Sequence, residues 1–307
     1  MIKTAQKNPY LCSPMNYIGG KYKLLPQIMP LFPENIRVFV DLFCGGANVG
    51  INVKSEKVVF NDNLSYLIDL YMAFQNIPKS EILLHIEKRI SDLALSMTNE
   101  QGYLTLRSIY NSERNPLDLF VLTAYSFNHQ IRFNNSHLFN NPFGRDRSSF
   151  NSRMKNNLIG FLDRLNSENV YFSCKDFESF DLSGFSTEDF IYCDPPYLIT
   201  TGTYNDGKRG FEGWNTSQEI KLIDLLNTID KKGLRFALSN VLVHKGKTND
   251  ILIEWVKQHK YNVFHLNKNY SNSNYHTLDR DKNSSDEVLI TNYEPPTNQL
   301  TLDLCDI

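Results

Sequence analysis

Seven short apolar runs punctuate the chain, at residues 38–42, 57–60, 170–174, 190–193, 234–238, 261–266 and 287–291. Most are apolar throughout and do not alternate, which predicts strands buried on both faces of a largely parallel sheet. Helical spacing fills residues 48–54, 216–232 and 249–259. The second of these is expected to open on Thr216 as N-cap and to stop at Gly233. Strands alternating with helices in this way predict a doubly wound α/β fold. Only a loop separates the last two runs, so they are expected to pair antiparallel.

Residues 65–165 break this rhythm. Helical patterns recur there at 64–75, 80–96, 101–110 and 117–127, with no convincing buried strand. The expectation is a mostly helical insertion after the second strand. It divides the chain into one unit of residues 1–64 and 166–307 and a second of residues 65–165. Stretches 200–214 and 267–285, rich in Gly, Asn, Ser and Lys, read as loops.

The 307 residues are 41% hydrophobic, enough for a sizeable core. No apolar run approaches the ~20 residues that span a bilayer, and residues 1–10 lack a signal-peptide core. Cys12, Cys44, Cys174, Cys193 and Cys305 are scattered, without a Cys-x-x-Cys pair. That argues against a disulfide framework and a zinc site, and for a reducing compartment. A soluble, cytoplasmic protein with no membrane association is expected. The seven histidines show no metal spacing, so no metal is expected. A formal net charge of −2 rules out a uniformly basic surface. Residues 127–165 nevertheless hold Arg132, Arg145, Arg147, Arg153, Lys155 and Arg164 against Asp146 and Asp163. Such a patch suits a confined phosphate contact, though on charge alone a solvated helix and its loops is the commoner cause.

Two glycine turns carry candidate chemistry. Phe39-Val40-Asp41-Leu42-Phe43-Cys44-Gly45-Gly46 reads as a strand, an acid and a glycine turn. Glycines there let a ligand approach the backbone closely, though a turn that merely packs a helix on a sheet looks the same. The glycines fall at 45, 46 and 50, so the G-x-G-x-x-G dinucleotide fingerprint is absent. The second strand ends in Asn61-Asp62, an acid placed to hold ribose hydroxyls or to cap a helix. Near the start stands Tyr17-Ile18-Gly19-Gly20-Lys21, without the spacing of a triphosphate-binding loop.

The most informative stretch is Phe190-Ile191-Tyr192-Cys193-Asp194-Pro195-Pro196-Tyr197. Two prolines end the strand and stiffen the turn. The turn sits at the carboxyl end of a strand, where α/β sheets bind ligands. It offers a carboxylate, a fixed carbonyl and an aromatic face. An exocyclic amine of a base is a poor nucleophile, because its lone pair is delocalised into the ring. Two acceptors, the Asp194 carboxylate and the Pro195 carbonyl, would localise that pair. Tyr197 would stack on the base once it is flipped from the duplex.

In these motifs and their order the chain resembles the DNA adenine-N6 methyltransferases of Dam-type (alpha) motif order, over nearly its whole length. The resemblance implies a seven-stranded Rossmann-like sheet with a helical target-recognition insertion. It implies S-adenosyl-L-methionine (AdoMet) as cofactor and double-stranded DNA as substrate. Tyr17, Gly20 and Lys21 match the motif that contacts AdoMet. Asp41, Phe43, Cys44 and Gly45 match the methionine-binding segment. Asp62, followed by Asn63, matches the ribose-binding acid. Asp176 and Phe177 match the segment that holds the cofactor adenine. Asp194, Pro195, Pro196 and Tyr197 match the catalytic tetrapeptide, with Asp194 also bordering the cofactor. The recognition hairpin is matched by Asn128, His129, Gln130, Arg132 and Asn134, followed by Arg145 and Arg147, with Arg132 at a base-reading position. At His129 and Gln130 the chain departs from the GATC methylases. Residues 198–214 look closer to methylases that accompany restriction enzymes, which implies a cognate endonuclease encoded elsewhere. The alternatives are an amino methyltransferase for cytosine N4 or RNA adenine, and a DNA-binding module without chemistry.

Overall fold

The computed structural model describes residues 8–17, 19–167, 169–200, 214–266 and 285–296. Most of the two expected loops, at 200–214 and 267–285, lies outside these residues. Strands β1 (Val38–Asp41), β2 (Lys57–Asn61), β3 (Val170–Ser173), β4 (Phe190–Cys193), β5 (Arg235–His244), β6 (Lys247–Thr248), β7 (Asn262–Leu266) and β8 (Ser285–Thr291) form one sheet. Its order is β3-β2-β1-β4-β5-β8-β7, with β6 paired to β5. The first five strands in that order run parallel, while β8 lies antiparallel to both β5 and β7. Every residue of β1 and β4 is buried, as continuous apolar runs in a parallel sheet require.

Two elements differ most from expectation in their extent. Strand β5 continues past Leu238 to His244 instead of ending where Ser239 and Asn240 turn the sequence polar. Both polar residues are fully buried yet partnered: Tyr192 Oη and Ser239 Oγ lie 2.8 Å apart, and Asn240 Nδ2 donates to Glu219 Oε1 at 3.4 Å. The helix expected over 48–54 shrinks to one 3-10 turn, Gly50–Asn52. Ala47 sits at φ +57, outside the helical region, and the few residues left cannot sustain a helix.

Helices α1 (Leu25–Ile28), α2 (Ser65–Asn76), α3 (Lys79–Asp92), α4 (Glu100–Glu113), α5 (Pro116–Tyr125) and α6 (Ser152–Leu165) precede β3. Helices α7 (Thr216–Lys231) and α8 (Asp250–His259) flank β5 and β6. Asn215, one residue before the expected cap, closes α7 by accepting from the Ser217 and Gln218 amides. Gly233 follows at φ +71.

One apolar cluster runs from Phe39, Phe60 and Phe190 in the sheet through Tyr71 and Phe74 of α2 to Phe120 of α5 and Phe161 of α6. The Phe74 ring is edge-on to Phe120 at 5.5 Å, and Tyr71 meets Phe172 of β3 at 6.1 Å. The opposite face packs Val40, Ile191 and Leu238 against Leu226 of α7 and Trp255 of α8. The parallel strands thus all present their carboxyl ends at one edge of the sheet, above two packed layers of helix.

Candidate active site

Three segments meet at that edge. The first is the N-terminal turn, in which Gly20 N donates to Tyr17 O and Gly19 takes φ +80. The turn aims the Lys21 ammonium inward. Its side chain is only 2% exposed; Nζ lies 2.8 Å from Asp194 Oδ1 and 3.5 Å from Glu287 Oε1. Nζ also donates to Gly19 O at 2.7 Å.

The second is the glycine turn after β1. Gly45 adopts φ +43, and a Cβ there would stand 2.9 Å from the Tyr17 ring. A Cβ at Gly46 would meet Tyr17 Cβ at 3.1 Å. Gly45 therefore needs glycine for its conformation and for the close approach of the Tyr17 side chain, which also crowds Gly46. Asp62 at the end of β2 braces the turn, accepting from Gly45 N at 3.0 Å and Leu64 N at 2.9 Å. Tyr71 Oη donates to Gly45 O from below. Asn61 links the strand ends, donating to Leu42 O and Lys175 O and accepting from Lys175 N. Asp41 is buried beneath the turn, where its Oδ2 accepts from Gly50 N at 3.0 Å. Burial pushes its carboxyl up to about 7; Asp194 and Asp62 add to the rise, while the Gly50 amide and Lys21 oppose it.

The third is the Asp-Pro-Pro-Tyr turn. Asp41 pairs in register with Tyr192, so Asp194 emerges beside the glycine turn. The side chain of Asp194 is 19% exposed. Its Oδ1 faces Lys21 and also accepts from Tyr197 Oη at 3.1 Å. Tyr197 Oη lies 3.3 Å from Glu287 Oε1, and the Lys21 ammonium stands 5.1 Å from the Tyr197 ring centre. Among the described residues none donates to Asp194 Oδ2. Burial raises the Asp194 carboxyl above its ordinary range, and the Lys21 ammonium pulls it part of the way back. Burial and the two carboxylates hold the Tyr197 phenol well above its usual range.

Beside these segments Phe43, Phe177 and Trp214 form a cluster of rings with centres 5.4–5.9 Å apart. Phe177 heads a short 3-10 turn that Asp176 caps through the Glu178 amide. Cys44 is buried and donates its amide to Asn61 O; Asn63 is exposed. Glu287, Asn61 and Trp214 are site residues that sequence reasoning did not single out. The only signal for Glu287 was the acidic pair Asp286-Glu287 at the head of an apolar strand.

The other sequence candidates lie on a separate loop between α5 and α6. Antiparallel bridges pair Ser126 with Phe143 and Phe133 with Phe139. Tyr103 Oη, Asn111 and Asn141 tie the loop down through backbone groups. Asn128 and His129 stand at φ +56 and +54, and Asn16 Nδ2 donates to Asn128 O at 2.8 Å. Arg132 is exposed, Gln130 half-buried, and the Asn134 side chain closes the hairpin tip through the Ser136 and Leu138 amides. Arg147 stacks on the exposed Phe127 ring at 4.9 Å, whereas Arg145 pairs with Glu100. Lys155 and Arg164 are engaged by Glu87 and by Ser167 and Asn169, so only part of the basic patch faces outward.

The chain belongs to the D12 class N6 adenine-specific DNA methyltransferase family, whose sequence model matches residues 17–283. Among individual proteins it is similar to the modification methylase StsI of Streptococcus sanguinis, 50% identical over 97% of this chain and 45% of that protein. It is also similar to the type II methyltransferase M.FokI of Planomicrobium okeanokoites, 51% identical over 93% of this chain and 43% of that protein. The DNA adenine methylase of Escherichia coli K12 is 24% identical over 84% of this chain and 89% of its own length. The chain thus spans less than half the length of the first two. No helix among the described residues is long and apolar enough to cross a membrane.

Proposed function

We propose that this chain transfers a methyl group from AdoMet to N6 of an adenine flipped out of duplex DNA. It would act in the cytoplasm as the modification half of a restriction–modification pair whose endonuclease is encoded elsewhere. The observation that carries the reading is the placement of Asp194 and Tyr197 beside the glycine turn at the carboxyl edge of the sheet. The residues there suit AdoMet. The glycine turn is held against Tyr17 at the sheet edge, Asp62 is braced at the ribose side, and Phe43 and Phe177 offer ring faces.

When bound, AdoMet supplies an electrophilic methyl on a sulfonium. The chain's own groups then do the positioning. Lys21 and Tyr197 fix Asp194 through Oδ1 and so orient Oδ2 for one N–H of the amine. The Pro195 carbonyl, held by the Pro195-Pro196 turn, takes the other. Acceptors on both N–H bonds localise the nitrogen lone pair, and rigid placement of the reactants supplies much of the rate. The Tyr197 ring offsets part of the unstacking cost of the flipped base, ~1–3 kcal/mol. We assign residues 65–165 to target recognition and residues 1–64 and 166–307 to catalysis. Arg132 on the exposed loop reads a base, flanked by Asn128, His129, Gln130, Asn134, Arg145 and Arg147.

Incubation with methyl-labelled AdoMet and plasmid DNA or RNA, followed by nucleoside digestion, tests the reading. Label in N6-methyladenine of DNA is expected. Label in cytosine, in RNA only, or nowhere would overturn it. Arg132→Ala is expected to lower discrimination between single-base variants of the site by ~1–3 kcal/mol; unchanged ratios would remove its reading role.

A further inference from the structure

Glu219 is a fully buried carboxylate in the first turn of α7, 1% exposed, that no step of the proposed chemistry uses. Burial raises its carboxyl. A carboxylate so placed needs compensating donors. Its donors are Trp214 Nε1 on Oε2 at 2.7 Å, with Asn249 Nδ2 at 2.8 Å and Asn240 Nδ2 at 3.4 Å on Oε1. The two amides come from rigid elements, since Asn240 lies on β5 and Asn249 caps α8 through the Leu252 amide. Glu219 is thus fixed from the sheet side, and its free direction is spent on one indole.

That indole does not enter the packed core. Trp214 stays half-buried, edge-on to Phe43 at 5.9 Å and 80°, and tilted to Phe177 at 5.6 Å. Phe43 follows β1 and Phe177 follows β3, so the three rings come from three separate segments and meet at the sheet edge beside the glycine turn. A Trp that only glued α7 to the sheet would not need its N–H anchored on a buried anion, nor its ring kept at the rim. We infer that Trp214 forms a third wall of the pocket for the adenosine part of the cofactor, and that Glu219 is the positioning residue that sets its ring. This rests on the proposed placement of AdoMet at the Gly45 turn.

The test uses S-adenosylhomocysteine as probe, calorimetry for its Kd, and fluorescence of the Trp255→Phe variant, in which Trp214 is the sole tryptophan. Saturable quenching of Trp214 emission is expected. Trp214→Ala should weaken binding by about 5- to 150-fold, the range found when an aromatic ring is removed from a stacked base, with Trp214→Phe in between. Glu219→Gln should weaken binding and shift Trp214 emission. In the Trp214→Ala background it should cost nothing more, because Glu219 acts through that ring. Binding by Trp214→Ala or Trp214→Phe as tight as wild type, in protein that melts normally, would overturn the inference while leaving the cofactor reading intact. Additive losses in the double variant would reduce Glu219 to a structural role and overturn its half of the inference. Failure of the wild-type protein to bind the probe at all would refute the cofactor reading itself.

Discussion

Lys21→Met removes the one ammonium shared by Asp194 and Glu287 while keeping an apolar stem of similar length. At 2.8 Å the Lys21–Asp194 attraction is about 6 kcal/mol for an effective dielectric of 20. Much of that repays the desolvation of two groups, so the usual loss on breaking a buried pair, ~3–5 kcal/mol, is the better guide to stability. On the titration of Asp194 the effect is cleaner. An opposite charge in contact lowers a carboxyl, and its removal lets the carboxyl rise again. Asp194 is the stronger acceptor when ionised, and a proton would sit on Oδ2 because Oδ1 faces the Lys21 ammonium, so transfer is expected above its pKa and falls as pH drops through it. Burial already sets that limb above the ordinary carboxylate range, and Lys21→Met moves it higher still. Single-turnover methyl transfer, followed from pH 5 to 9 with both substrates saturating, reads the limb without interference from product release. Coincident limbs for variant and wild type would refute the assigned role of Lys21, whatever happens to the absolute rate.

Other residues give independent checks. Tyr197→Phe deletes the hydroxyl between Asp194 and Glu287 and should slow single-turnover transfer by the ~1.5–3 kcal/mol of a hydrogen bond to a charged group; an unchanged rate would remove the hydroxyl from the mechanism. Asp41 has its folded-state carboxyl raised to about 7, so its stabilising contribution is complete below the unfolded value and fades as pH rises through 7. Asp41→Asn abolishes that titration, and its stability relative to wild type should therefore rise between pH 5 and 8.5, by up to about 3 kcal/mol. A pH-independent difference in urea denaturation would contradict this. Gly50→Ala forces a Cβ to 2.4 Å from Phe60 Cε1 and 3.0 Å from Asp41 Oδ2, and should cost the ~1–3 kcal/mol of overpacking in the same assay.

The sheet was largely legible because buried parallel strands leave unbroken apolar runs, and the absence of a crossover before residue 287 announced the antiparallel turn. Strand β6 was not legible: Lys247 and Thr248 are exposed, too short for a pattern, and held only by pairing with β5. The far half of β5 was hidden because its polar residues are satisfied by partners distant in the chain. At the site, Asp194 through Tyr197 drew notice through their local turn chemistry alone. The contact of Lys21 with Asp194 could not be read, since it depends on two turns meeting in space. Glu287 was equally opaque, as strand alternation does not say which neighbour a side chain will meet. Trp214 and Glu219 are five residues apart, yet their bond depends on Asn240 and Asn249 reaching the carboxylate from the sheet side.

The unbroken apolar cluster from β2 and β4 into α2, α5 and α6 limits how the proposed recognition loop can be exchanged. The loop bearing Arg132 is not carried on a detachable cassette. Transplanting all of residues 65–165 from a relative would bring foreign side chains against Phe172 and Phe60 and disturb the strands beneath the glycine turn. Exchange of residues 127–142 alone leaves the helices in place, provided that Phe133 and Phe139 stay packed on Tyr66 and Tyr110 and that Tyr103 and Asn111 keep their backbone anchors. Changes to the proposed recognition loop are therefore most accessible through short grafts that retain both rings, with the helices inherited unchanged.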